Sequence, residues 1–341
     1  MSGALRSALC ESDARASAPG TPAISNARLL MNKRILLATD GSESSRRALR
    51  EAAAFACRGD TIRVIHMVED PVNLLTSAFS KVIDLEQVRR DMQTEGEEHL
   101  ARAVLYLREE GLDAEAHLLD LRTTGETVPE AMTREANEWS ADIIIVGTHG
   151  RSGVRRAMLG SIAEQILRNA QIPVMLVSGE ARPHEPQRAD GHYERVLVAL
   201  DDSETARRAF DYALALARTH TASLRAVHVL DMPGPFLAGF DPEPLLNAVR
   251  AVGDQVRTWA THKMREAGVP GEVEIREIQP IGEGVADQIV AAGKDADADV
   301  IVLGTHGRRG FRRFTLGSVA EDTARHAGRP VLLLPALAPS P

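Results

Sequence analysis

Residues 147–161 read GTHGRSGVRRAMLGS and residues 304–318 read GTHGRRGFRRFTLGS, so one spacing of glycines and a closing serine recurs 157 residues later. Each copy follows a nearly all-apolar run, DIIIVG (142–147) or DVIVLG (299–304), and leads into a helical pattern, SIAEQILRNA or SVAEDTARHA. An apolar run without alternation is a strand buried on both faces, as in a parallel sheet sandwiched by helices. A glycine-rich turn from such a strand into a helix lets backbone N–H groups and the positive helix N-terminus approach a phosphate.

Working outward, the first half carries the runs RILLAT (34–39), TIRVIHMV (61–68), AEAHLLD (114–120), DIIIVG (142–147) and PVMLVS (173–178), with amphipathic segments between them. One of these, EEHLARAVLYLREEG, stops at Gly111, where a glycine ends a helix. The second half repeats the order with RVLVAL (195–200), SLRAVHVL (223–230), EVEIREI (272–278), DVIVLG (299–304) and PVLLLP (330–335). Two tandem doubly wound α/β domains are therefore expected, each a five-stranded parallel sheet with helices on both faces, over residues 33–178 and 194–335. The polar, Pro- and Gly-bearing stretch 179–193 reads as a linker. Residues 1–32, rich in Ala and Ser, read as a disordered tail or as sequence upstream of a true start at Met31.

Composition narrows the function. The 341 residues are 44% hydrophobic, 26% charged and 4% aromatic, with a formal net charge of −8, which disfavours nucleic acid and anionic membrane as partners. No apolar run approaches a membrane span and no secretory h-region exists, so a cytoplasmic location is expected. Two cysteines, Cys10 and Cys57, make neither a disulfide framework nor a zinc spacing. The chain has no GxxxxGK[ST], HExxH, GxSxG or kinase HRD/DFG motif, so catalytic and metal-ligating residues are not assigned.

In a doubly wound sheet the ligand sits beyond the carboxyl ends of the strands at the switch point. That places Asp40 and Asp201, which end strand one of each half, at the same edge as the glycine loops. Here the motifs resemble those of the universal stress protein family: G-x-x-G, nine residues, then G-S, between strand four and helix four, twice. The likeness includes the aspartates, the strand-two ends IHMVED and VHVLD, and the closing IPVMLV and RPVLLLP. It implies a Rossmann-like, HUP-type fold, ATP with Mg²⁺ carried by the nucleotide, and a stress-response sensor or regulator. By position, the residues implied at the nucleotide are Asp40, Met67, Gly147, Gly150, Arg151, Gly160, Ser161 and Ile162 in the first half. In the second they are Asp201, Val229, Gly304, Gly307, Arg308, Gly317, Ser318 and Val319. Met67 stands where a small β-branched residue is more usual. The family also implies that the two closing strands pair with each other, an internal pseudo-dimer; association of whole chains stays open.

Blander readings accompany these. Asp40 and Asp201 also suit caps of the helices starting near Ser42 and Ser203, and the glycines suit tight turns. His149 and His306 read as polar turn residues, and His66 and His228 as structural. The arginines Arg151, Arg155, Arg156, Arg308, Arg309, Arg312 and Arg313 suit phosphate contact or a solvated face. Two alternative functions remain at this level: a slow ATPase or autophosphorylating enzyme with Ser161 or Ser318 as acceptor, and a nucleotide-free scaffold.

Overall fold

The computed structural model describes residues 32–71, 84–148, 159–178, 192–231, 243–278, 283–307 and 316–336. The first half contains β1 (Arg34–Ala38), α1 (Glu43–Phe55), β2 (Thr61–Val68), α2 (Leu85–Glu109), β3 (Asp113–Asp120), α3 (Leu121–Thr124), α4 (Val128–Glu138), β4 (Ile143–Gly147), α5 (Ser161–Asn169) and β5 (Val174–Val177). The second contains β6 (Arg195–Leu200), α6 (Glu204–His220), β7 (Ser223–Leu230), α7 (Glu243–Glu266), β8 (Gly271–Glu277), α8 (Val285–Asp295), β9 (Val300–Gly304), α9 (Ser318–His326) and β10 (Val331–Leu334).

Helix boundaries follow local chemistry. Ser42 and Ser203 cap α1 and α6 by accepting from Ser45 N and Ala206 N, and Thr127 with Glu130 forms a capping box on α4. Gly111, just past α2, takes φ +79°, the left-handed conformation that a side chain disfavours.

Ten strands form one sheet in the order β3-β2-β1-β4-β5-β10-β9-β6-β7-β8. All neighbours run parallel except β5 and β10, which pair antiparallel with Leu332 opposite Met175. The closing strands of the two halves thus cover each other, which removes two apolar edges. Successive side chains point to opposite faces, and both faces carry a core that crosses this seam. Leu37, Phe55, Met175, Phe210 and Leu332 belong to one layer. Leu36, Ile144, Leu176, Ile301 and Leu333 belong to the other.

Tyr193 strengthens the seam. It closes the stretch read as a linker, yet it is 1% exposed, its ring stands edge-on to Phe55 at 6.3 Å, and its hydroxyl donates to Glu51 Oε1 at 2.6 Å. Its polar sequence context hid this anchoring. Tyr193→Phe keeps the ring and removes a hydrogen bond to a carboxylate, so a loss of about 2 kcal/mol is expected. Equilibrium denaturation should read it as a lowered midpoint at unchanged slope.

Candidate functional site

In each half the first and fourth strands are neighbours, with Leu37 opposite Ile145 and Val198 opposite Val302. The crossovers leave these two strands to opposite faces, and a crevice opens past their carboxyl ends. In the C-terminal half that crevice is a cavity of about 460 Å³, lined among others by Asp201, Val229, Gly304, Gly307, Ser318 and Val319. Of the residues expected in this half, Gly317 stands beside it and Arg308 lies outside the described residues.

The loop glycines lie close to their neighbours. A Cβ on Gly304 would lie 2.6 Å from Thr205 Cγ2, and one on Gly307 would lie 2.6 Å from Asp201 Oδ2. Gly317 has an ordinary φ of −66°, but its N–H donates to Thr305 O at 2.9 Å, and a Cβ there would lie 2.9 Å from the same oxygen. The first and last turns of the loop are therefore backbone against backbone. Gly160 N donates to Thr148 O at 2.9 Å in the other half, the same rung.

The aspartates are not the caps. Asp201 Oδ1 accepts from Ser203 N at 2.9 Å and Asp40 Oδ1 from Ser42 N at 2.9 Å, while the serines do the capping. This turn holds each carboxylate at the mouth of the crevice. In contrast, α5 and α9 begin at Gly160 and Gly317 with no side-chain cap. A glycine at the N-cap gives their first-turn N–H groups no side-chain acceptor of its own. Ser318 and Val319, the first residues of α9, line the cavity.

His228 Nδ1–H donates to Leu200 O and His66 Nδ1–H to Thr39 O, both at 2.8 Å, so these histidines brace strand one against strand two. His306 differs. Its Nδ1 is bonded to Thr305 Oγ1 at 3.0 Å, whereas Nε2 is buried without a hydrogen-bond partner among the described residues, and the residue belongs to the cavity lining. Reading it as a turn residue missed this; its place between two loop glycines was the available signal.

In the N-terminal half a Cβ on Gly147 would lie 2.6 Å from Ser44 Oγ, and Ser161 and Ile162 are exposed at the start of α5. Met67 is half-buried and packs on the second core layer. Gly150, Arg151 and His149 lie outside the described residues, as do Arg155, Arg156, Arg309, Arg312 and Arg313. Among the described residues no three metal-ligating side chains cluster, and no helix is long and apolar enough to cross a membrane.

Comparison with known proteins follows the same two segments. The sequence model of the universal stress protein family matches residues 31–178 and 192–335. The chain is similar to a universal stress protein of Mycobacterium tuberculosis, 27% identical over 309 residues, covering 88% of this chain and 96% of the relative. It is also similar to one of Methanocaldococcus jannaschii, 31% identical over 145 residues, 42% of this chain and 82% of that one. Among solved structures, a universal stress protein from Archaeoglobus fulgidus superposes with a TM-score of 0.60 at 21% identity, covering 91% of this chain and 99% of that one, a likeness of fold.

Proposed function

The chain belongs to the universal stress protein family, whose model it matches twice, and from that premise we propose that it binds ATP and serves as a stress-response sensor or regulator in the cytoplasm. The observation that carries the reading is the C-terminal cavity, which gathers Asp201, Val229, Gly304, Gly307, Ser318 and Val319. Its volume of about 460 Å³ lies in the range of small-molecule sites, roughly 300–1,000 Å³. Apolar walls suit a purine face, and the Asp201 carboxylate suits an exocyclic amine or a ribose hydroxyl.

The fit at the phosphate end rests on two features. The N-cap position of α9 is Gly317, which offers no side-chain cap, and Gly307 and Gly317 add no side chain of their own between the backbone and a ligand. Arg308, next in the loop, would add positive charge. Bound ATP would supply polyphosphate charge together with its own Mg²⁺. In the N-terminal half, Asp40, Met67, Gly147, Gly150, Arg151, Gly160, Ser161 and Ile162 are the corresponding residues.

Binding of this kind does not by itself accelerate hydrolysis, because donors that hold ground state and transition state equally leave the barrier unchanged. The expected turnover is therefore slow. The test is acid release and chromatography of nucleotide carried through purification, followed by calorimetry on stripped protein. Recovery of ATP or a measurable binding heat supports the reading, and neither signal with properly folded protein rejects it in favour of a scaffold.

His306 gives a further expected result. His306 lines the cavity and its buried Nε2 has no partner among the described residues, so His306→Ala should weaken ATP binding by about five- to tenfold, the worth of one hydrogen bond of about 1 kcal/mol. His306→Gln should recover part of the loss. Calorimetry showing equal affinities for wild type and His306→Ala would return His306 to a structural role.

A further inference from the structure

The long helices α2 and α7 cross the carboxyl end of the second strand in their own halves, and a glycine sets the register of each. A Cβ on Gly96 would lie 2.6 Å from His66 Cδ2, and one on Gly253 would lie 3.0 Å from Leu230 Cδ2 and 3.6 Å from His228 Cδ2. Counting back from these glycines, Ala248, Val249 and Val252 of α7 hold the places of Asp91, Met92 and Glu95 in α2. Counting forward, Val256 holds the place of His99.

These pairs differ in chemistry. Ala248, Val249 and Val252 line the C-terminal cavity, and Val256 is buried in the core beneath them. In the N-terminal half His99 lies instead against the turn that follows Asp40, where a Cβ on Gly41 would meet its Cε1 at 2.5 Å. Its ring is 5.8 Å from that of His66. Nε2 is 3.3 Å from Glu95 Oε1, and Nδ1 accepts from Arg102 Nη2 at 3.0 Å. A hydrogen-bonded row of Glu95, His99 and Arg102 thus begins where α7 presents the aliphatic Val252 and Val256.

A purine face laid on three aliphatic side chains buries apolar area and strands no polar group. Laid against Glu95 and Asp91, the same face would desolvate carboxylates while offering them no donor, and the added negative charge opposes an anionic ligand. Resting on the ATP reading above, we infer that the two halves are unequal. The C-terminal half is the adenine-nucleotide site of the chain, Val252 is a specificity-determining residue of its wall, and the N-terminal half takes no ATP because Asp91, Glu95 and His99 occupy the corresponding wall.

Native mass spectrometry of the full chain titrated with ATP, paired with calorimetry, tests this. One ATP per chain is expected. Val252→Glu should weaken that binding at least tenfold, with Val252→Gln as the uncharged second probe, expected to weaken it in the same direction. Glu95→Val should leave the affinity of the single site unchanged. The graft of Asp91→Ala, Met92→Val, Glu95→Val and His99→Val should raise the count to two. Two ATP per wild-type chain, unchanged affinity in both Val252 variants, or a folded graft that stays at one would overturn the inference and leave the ATP reading standing. Wild-type protein that binds no ATP would overturn the ATP reading itself.

Discussion

Gly317→Val is expected to abolish ATP binding by the C-terminal half, a loss of roughly 100-fold or more, equivalent to about 3 kcal/mol. The backbone conformation at Gly317 is one any residue adopts, so the effect comes from space. A Cβ there would lie 2.9 Å from Thr305 O and 3.6 Å from His306 Cα. Both are backbone atoms and cannot swing aside as a side-chain tip would. Relief requires the rung between Gly317 and Thr305 to open, which carries the N-terminus of α9 away from Gly304 and Gly307. Calorimetry on the variant beside Ser318→Ala, which leaves every backbone donor in place and should lose far less, separates the loop from the hydroxyl. Binding within twofold of wild type in Gly317→Val would contradict the assignment of this loop to the ligand.

The largest expected effect on stability lies far from the site. Gly271 opens β8 opposite Leu224 of β7, and a Cβ on it would stand 2.0 Å from Leu224 O and 2.9 Å from Met264 Sδ. The methionine can move, but the carbonyl belongs to the sheet. Gly271→Ala should therefore cost about 3 kcal/mol, the upper part of the range for overpacking, and lower the melting temperature of the jointly unfolding halves by roughly 5 °C. Because both core layers run through the β5–β10 seam, the halves should unfold together. Calorimetric scans in which the C-terminal half melts alone, well below the other, would show the seam to be weaker than its packing implies.

The amino-acid sequence alone determined the elements and their repeat. Runs such as IIIVG and VIVLG are apolar throughout because each strand is covered on both faces, and that requirement is written locally, residue by residue. The duplicated glycine spacing and the aspartates ending β1 and β6 were legible for the same reason: a turn of this kind depends on the residues within it. The apolar β5 and β10 also announced that each needed cover. Tertiary structure decided what lies between residues distant in the chain. It set the register of Leu332 on Met175, drew Tyr193 out of a polar stretch onto Glu51, and placed His306 in the cavity lining. It also brought Val252 of α7 and Glu95 of α2 to corresponding walls. A helical pattern shows which residues share a face, but the strand and loop that face meets are chosen by packing across the fold.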